Sequence, residues 1–151
     1  MTALALESGY WSVLGEGVGA ILLYAVIGLV LMLVGFYAID LTTPGKLRTL
    51  VVARKPNAII VSAAGMISMA FIVVLAIFAV GGSGKLWQGL IAALVYGLVG
   101  IVAQVISVRV IELATGIDIG AVLHEDKFTP DVLLVAAAHF ALGLVVAFAI
   151  L

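Results

Sequence analysis

Four long stretches of this chain contain no Asp, Glu, Lys or Arg: residues 17–39, 58–80, 86–108 and 132–151. The polar and charged residues are gathered into the short blocks between them. Each apolar stretch holds about 20 residues, which at about 1.5 Å per residue matches a hydrocarbon core of about 30 Å. The fourth contains His139, but also twelve Ile, Leu, Val or Phe residues. Each of these contributes about −0.3 to −0.6 kcal/mol near the bilayer centre, so together they outweigh even a Lys-sized penalty of about 3 kcal/mol. The pattern predicts an all-α, polytopic membrane protein with four transmembrane helices in a single domain.

The blocks between the spans predict smaller elements. Tyr10 and Trp11 precede the first span, where amphipathic rings favour the headgroup layer. Residues 4–15 are therefore expected to form a short interfacial segment. With Glu7 and Glu16 and no positive start, residues 1–19 do not resemble a secretory signal. In the first loop, Thr43 and Pro44 suggest an N-cap and first helical residue. The following segment, 46–55, sets Leu47, Leu50, Val51 and Val52 among Lys46, Arg48, Arg54 and Lys55. Such a helix suits the headgroup layer, its basic residues facing anionic lipid. Pro56 is expected to end it. Gly81, Gly82, Ser83 and Gly84 predict a tight turn that makes the second and third spans antiparallel neighbours.

Composition agrees with a membrane interior: 66% of the residues are hydrophobic and 10% are charged, against about 25% charged in soluble domains. A net charge of −1 provides no basic field for nucleic acid. There is no cysteine, which removes disulfides, thiolate metal sites and cysteine nucleophiles. Basic residues are distributed unevenly. Residues 40–57 and 109–131 hold six of them, and the other side has only Lys85. The positive-inside rule then places both long loops in the cytoplasm and both termini outside.

The two halves resemble one another. An offset of 72 residues brings Tyr24 onto Tyr96, Gly28 onto Gly100, Asp40 onto Glu112 and Thr43 onto Thr115; an offset of 74 brings Pro56-Asn57 onto Pro130-Asp131. The expected architecture is two tandem two-helix repeats, about 17–80 and 86–151. With two spans in each, both repeats enter the membrane in the same direction, in contrast to the inverted repeats of many secondary transporters.

The stretch Asp40-Leu41-Thr42-Thr43-Pro44-Gly45-Lys46-Leu47, followed by Asn57-Ala58 opening an apolar helix, resembles the bacterial inner-membrane family called domain of unknown function 350, also catalogued as uncharacterised family 0719 of transmembrane proteins. Asp40, Leu41, Thr43, Pro44, Gly45, Leu47 and Asn57 carry the resemblance, which covers most of the chain. It implies a four-span protein of the bacterial plasma membrane and no established activity. Where the family often has a second Asn, this chain has Asp131.

Two polar side chains fall inside the spans, Gln104 and His139. At such depth polar groups face other helices or a cavity. They are candidates for a proton relay or constriction; the plainer reading is an interhelical hydrogen bond, one joining the two residues included. Asp40 and Glu112 form a candidate pair of acids, one per repeat, able to gather a cation. Their plainer roles are capping of the first loop for Asp40 and pairing with Arg109, one turn back, for Glu112. Small-residue stripes, Gly89/Ala93/Gly97 and His139/Gly143/Ala147, allow close helix approach within the bundle or between copies. Asp118, His124, Glu125 and Asp126 lack a recognised calcium-loop or zinc-helix spacing and read as a solvated turn.

No nucleophile–base constellation is visible, so the expectation is a non-enzymatic scaffold, assembly or regulatory subunit without cofactor or metal. Its expected partners are the lipid bilayer and either a second copy or another membrane protein. The alternative is a small ion or solute channel or transporter.

Overall fold

The computed structural model describes residues 2–43, 45–80 and 85–151, with side chains from Gly9 onward. Pro44 and the turn expected at residues 81–84 lie outside the described residues. Six helices are described: α1 (Thr2–Thr42), α2 (Leu47–Val52), α3 (Pro56–Val80), α4 (Leu86–Thr115), α5 (Ile119–His124) and α6 (Asp131–Ala149). Four of them are long and apolar enough to cross a bilayer. They overlap the four charge-free stretches but end differently. α4 continues past residue 108 to Thr115, where Gly116 takes the left-handed conformation that closes it, because nothing before that glycine stops the helix.

The first helix departs most from expectation. Residues 4–15 do not form a separate segment: α1 is one helix of 41 residues. No proline interrupts it, and Gly15, Gly17 and Gly19 stay helical. At about 1.5 Å per residue it measures about 62 Å, twice a hydrocarbon core of about 30 Å. Tyr10 and Trp11 meet edge to face at 5.6 Å and remain exposed.

α3 and α4 form the middle of the bundle; α1 and α6 each pack against both, and the largest interface joins α3 to α6. The α6 stripe Val132, Val135, His139, Gly143 and Ala147 is buried, at the three- and four-residue spacing of one helix face. It meets α3 at Gly65, beside the His139 ring, and at Ser68. At the crossing, Gly143 sits against Ser68. A Cβ on Gly143 would overlap the serine hydroxyl and stand only 2.9 Å from the Ser68 Cα. The second stripe is buried too: Gly97 lies against the Leu31 side chain of α1. Both stripes therefore serve packing within one copy. α1 contributes little to the core, with only 6% of its most apolar window buried.

The loop helix α2 corrects three expectations. Its Leu47 and Leu50 are buried in the protein rather than in headgroups, while Val52 stays exposed. Thr43 does not cap it. The Thr43 hydroxyl donates backward to the Ile39 carbonyl at 2.7 Å, which also accepts from the Thr43 N–H at 2.9 Å, so both groups close the last turn of α1. Asp40 takes the capping task instead: its Oδ1 accepts from the Arg48 backbone N–H at 2.7 Å. Nor does Pro56 end α2. The helix stops at Val52 and Arg54 turns to φ 59; Pro56 opens α3, where a missing N–H costs nothing.

Candidate functional site

Two polar assemblies occupy the loop-bearing end of the bundle. The first fastens the two loops together, and Asn57 is its centre. It is fully buried at the start of α3. Its Nδ2 donates to the Val122 carbonyl at 2.8 Å, the Thr129 hydroxyl at 3.0 Å and the Lys127 carbonyl at 3.2 Å. Its Oδ1 accepts from the Thr129 N–H at 3.2 Å. One amide thus satisfies both carbonyl and N–H groups of a segment some 70 residues away, a task that requires donor and acceptor on the same side chain. Asp131, at the matching place on α6, is exposed and has acceptors only.

Around Asn57 the loops interlock further. Gly45 has φ 91, and a Cβ there would strike the His124 ring. This position needs glycine twice over, for the left-handed backbone and for the close approach. Lys55, expected to face lipid, instead donates to the His124 carbonyl at 2.9 Å and forms an ion pair with Asp126. The hydrogen bond and charge of Lys55 hold the Asp126 carboxyl below its ordinary value. Lys46, Arg48 and Arg54 are exposed and remain free of ion pairs among the described residues.

The remaining acidic and imidazole groups of the second loop diverge. Asp118 caps α5 by accepting from Ala121 N–H at 2.9 Å, His124 Nδ1 bonds the Gly120 carbonyl at 2.8 Å, and Asp126 faces Lys55. Among the described residues no three such side chains converge as metal ligands. The two acids Asp40 and Glu112 each have their own partner. Asp40 holds α2, and Glu112 pairs with Arg109 on the same helix.

The second assembly lies within the spans. Gln104 and His139 are both buried, and the structure brings them together. The contact runs to backbone rather than ring: Gln104 Nε2 donates to the His139 carbonyl at 2.9 Å. His139 Nδ1 bonds the Val135 carbonyl at 3.0 Å. Gln104 Oε1 is buried without a partner among the described residues. A small cavity touches Gln104, His139, Thr42, Thr43 and Arg109. On the other side of His139, an apolar groove of about 180 Å³ runs between α4, α5 and α6, with Glu112 and Thr115 at its edge.

Sequence reasoning missed the Asn57 hub and the Gly45–His124 contact. A buried amide directly after a proline at a span's first turn was the available signal, but its partners are too distant in sequence to infer.

Four apolar helices, closed around an apolar core and joined by two docked loops, define a four-span helical membrane protein. Residues 12–150 match the family model described as Domain of Unknown Function (DUF350), and the chain belongs to that family. It is 36% identical over 136 residues to a UPF0719 transmembrane protein of Mycolicibacterium paratuberculosis, covering 89% of each chain. A UPF0719 transmembrane protein of Mycobacterium bovis is 38% identical over 130 residues, covering 82% of this chain and 84% of its own. No solved structure matches.

Proposed function

We propose that this protein is a non-enzymatic membrane module, a scaffold, assembly or regulatory subunit of the bacterial plasma membrane, that presents its docked loop pair as a rigid face to a partner. The observation that carries this reading is the convergence on Asn57, through which both loops hold one shape. A surface used for recognition gains affinity when its ordering cost is met before binding. Lys46, Arg48 and Arg54 stand exposed on that face, and the excess of basic residues there favours a cytoplasmic location with both termini outside. The order long helix, short helix, long helix occurs twice. α2 and α5 fall at the same 72-residue offset, and Thr43 and Thr115 make the same backward bond, to Ile39 and Ile111. These matches support a tandem duplication with parallel halves.

The second reading, a small channel or transporter, rests on the Gln104–His139 cavity. Against it, the core of the other half is apolar, with Leu31, Ile72, Ala76, Ala93 and Ala147 fully buried. Affinity recovery from native membranes tests the first reading. A stoichiometric membrane partner, lost when Asn57 is replaced by Asp, is the expected result. A His139-dependent ion flux from purified protein in liposomes would overturn it.

A further inference from the structure

Gln104 and His139 present a chemical mismatch that the fold does not resolve by itself. A backbone carbonyl only accepts, so the 3.0 Å contact between His139 Nδ1 and the Val135 carbonyl fixes the proton on Nδ1. The neutral ring then carries its lone pair on Nε2. Gln104 is fixed as well. Its amide must point Nε2 at the His139 carbonyl, because the flipped orientation would set oxygen against oxygen. That leaves Oε1 as a buried acceptor with no donor among the described residues. Both side chains line one cavity, whose free volume of about 20 Å³ exceeds the roughly 10–15 Å³ that one water requires.

We infer that this cavity is a proton-binding site, in which a single water donates to Gln104 Oε1 and the neutral His139 ring, and a proton taken up on His139 Nε2 reverses the polarity of that bond. The step balances simply: hydronium from the loop side gives its proton to the imidazole and leaves as water. The charged ring becomes a donor at both nitrogens, and the orphan amide oxygen becomes its acceptor, directly or through the water. The binding of this proton goes beyond the scaffold reading and does not depend on it.

The charged and titratable groups facing the ring come from few elements. α4 supplies Arg109 on the cavity side and Glu112 on the groove side, and these two are paired with each other. α3 presents Gly65, whose added Cβ would lie 3.8 Å from the ring, and α1 presents the Thr42 and Thr43 hydroxyls, which bond backbone carbonyls. On α5, Ile119 lines the cavity, and the neighbouring Asp118 is engaged on Ala121 N–H. On α6 itself the nearest acid is Asp131, eight residues away.

Nitrogen-15 NMR of labelled histidine, with the full chain in lipid bilayers, tests the site. The chain has only two histidines, and loss of a signal in His139→Gln assigns the second. The expected neutral form carries its proton on Nδ1, and Nε2 protonates as pH falls. Gln104→Leu should lower the midpoint by about one pH unit, a tenfold loss of proton affinity, the size of one hydrogen bond to a charged group. Gln104→Glu should raise it. Opposite shifts cannot arise from misfolding common to both variants. A neutral ring protonated on Nε2, a ring that never titrates, or two variants that move the midpoint the same way or not at all would each overturn the inference.

Discussion

Replacing Gly143 by alanine tests whether the α3–α6 seam is held at contact distance. The new methyl group would stand 2.7 Å from the Ser68 Cβ and 2.9 Å from its Cα. A rotamer change can move the serine hydroxyl aside but neither of these atoms. Carbon pairs are comfortable at about 3.5–4.0 Å, so the helices must separate locally by about 0.6–1 Å, which forfeits a quarter to a half of each contact's attraction. If about 50 atom pairs along the seam are affected, at about 0.15 kcal/mol each, the loss is about 2–4 kcal/mol. Alanine's better helix propensity returns at most about 1 kcal/mol. The net destabilisation is then about 1–3 kcal/mol, a factor of about 5–150 in the ratio of folded to unfolded protein. Reversible unfolding in mixed micelles measures this, with Gly19→Ala as the control, since an added Cβ there meets nothing within 4 Å. Equal stability of the two variants would refute the close crossing.

Three further outcomes follow from the loop lock. Asn57→Asp should destabilise more than Asn57→Ala, because it turns an acceptor toward the Val122 and Lys127 carbonyls; about 3 kcal/mol is expected for two reversed contacts, and the same unfolding assay ranks the pair. Gly45→Ala should lower stability, and His124→Ala should relieve only part of the loss, since the strain of φ 91 remains; complete rescue would show that backbone strain is unimportant there. The Lys55–Asp126 link should respond to acid alone. Because Lys55 depresses the folded-state pKa of Asp126 from its ordinary 3.8, its contribution is present above that value and is lost as pH falls through the lower folded one. The NMR titration midpoint of the Asp126 carboxyl should therefore fall below 3.8 and return toward it in Lys55→Met; no difference between the two proteins would contradict the assignment.

The spans were legible because lipid leaves an unambiguous mark: a stretch without charge, about as long as the hydrocarbon core is thick. What lies at their ends was harder to read. Thr43 was expected to start a helix and instead finishes one, since a threonine hydroxyl satisfies a preceding carbonyl as readily as a following N–H. Leu47 and Leu50 have the pattern of a headgroup helix, yet the second loop and α3 cover them; periodicity shows that a face is apolar without showing what meets it. The Gln104–His139 meeting was legible as depth in two spans, but not that the bond would run to a backbone carbonyl and leave an amide oxygen over.

The long first helix has a mechanical consequence. α3 and α6 are tied at the loops by Asn57 and pressed together at Ser68 and Gly143, so their relative position has little freedom. α1 packs closely only around Gly28, Leu31, Gly35 and Ile39, and most of the rest of its 41 residues is exposed. A change in bilayer thickness would act on it with the longest lever arm and against the fewest contacts. The response to such a change is therefore expected first in α1, against the seam that Asn57 and Gly143 hold.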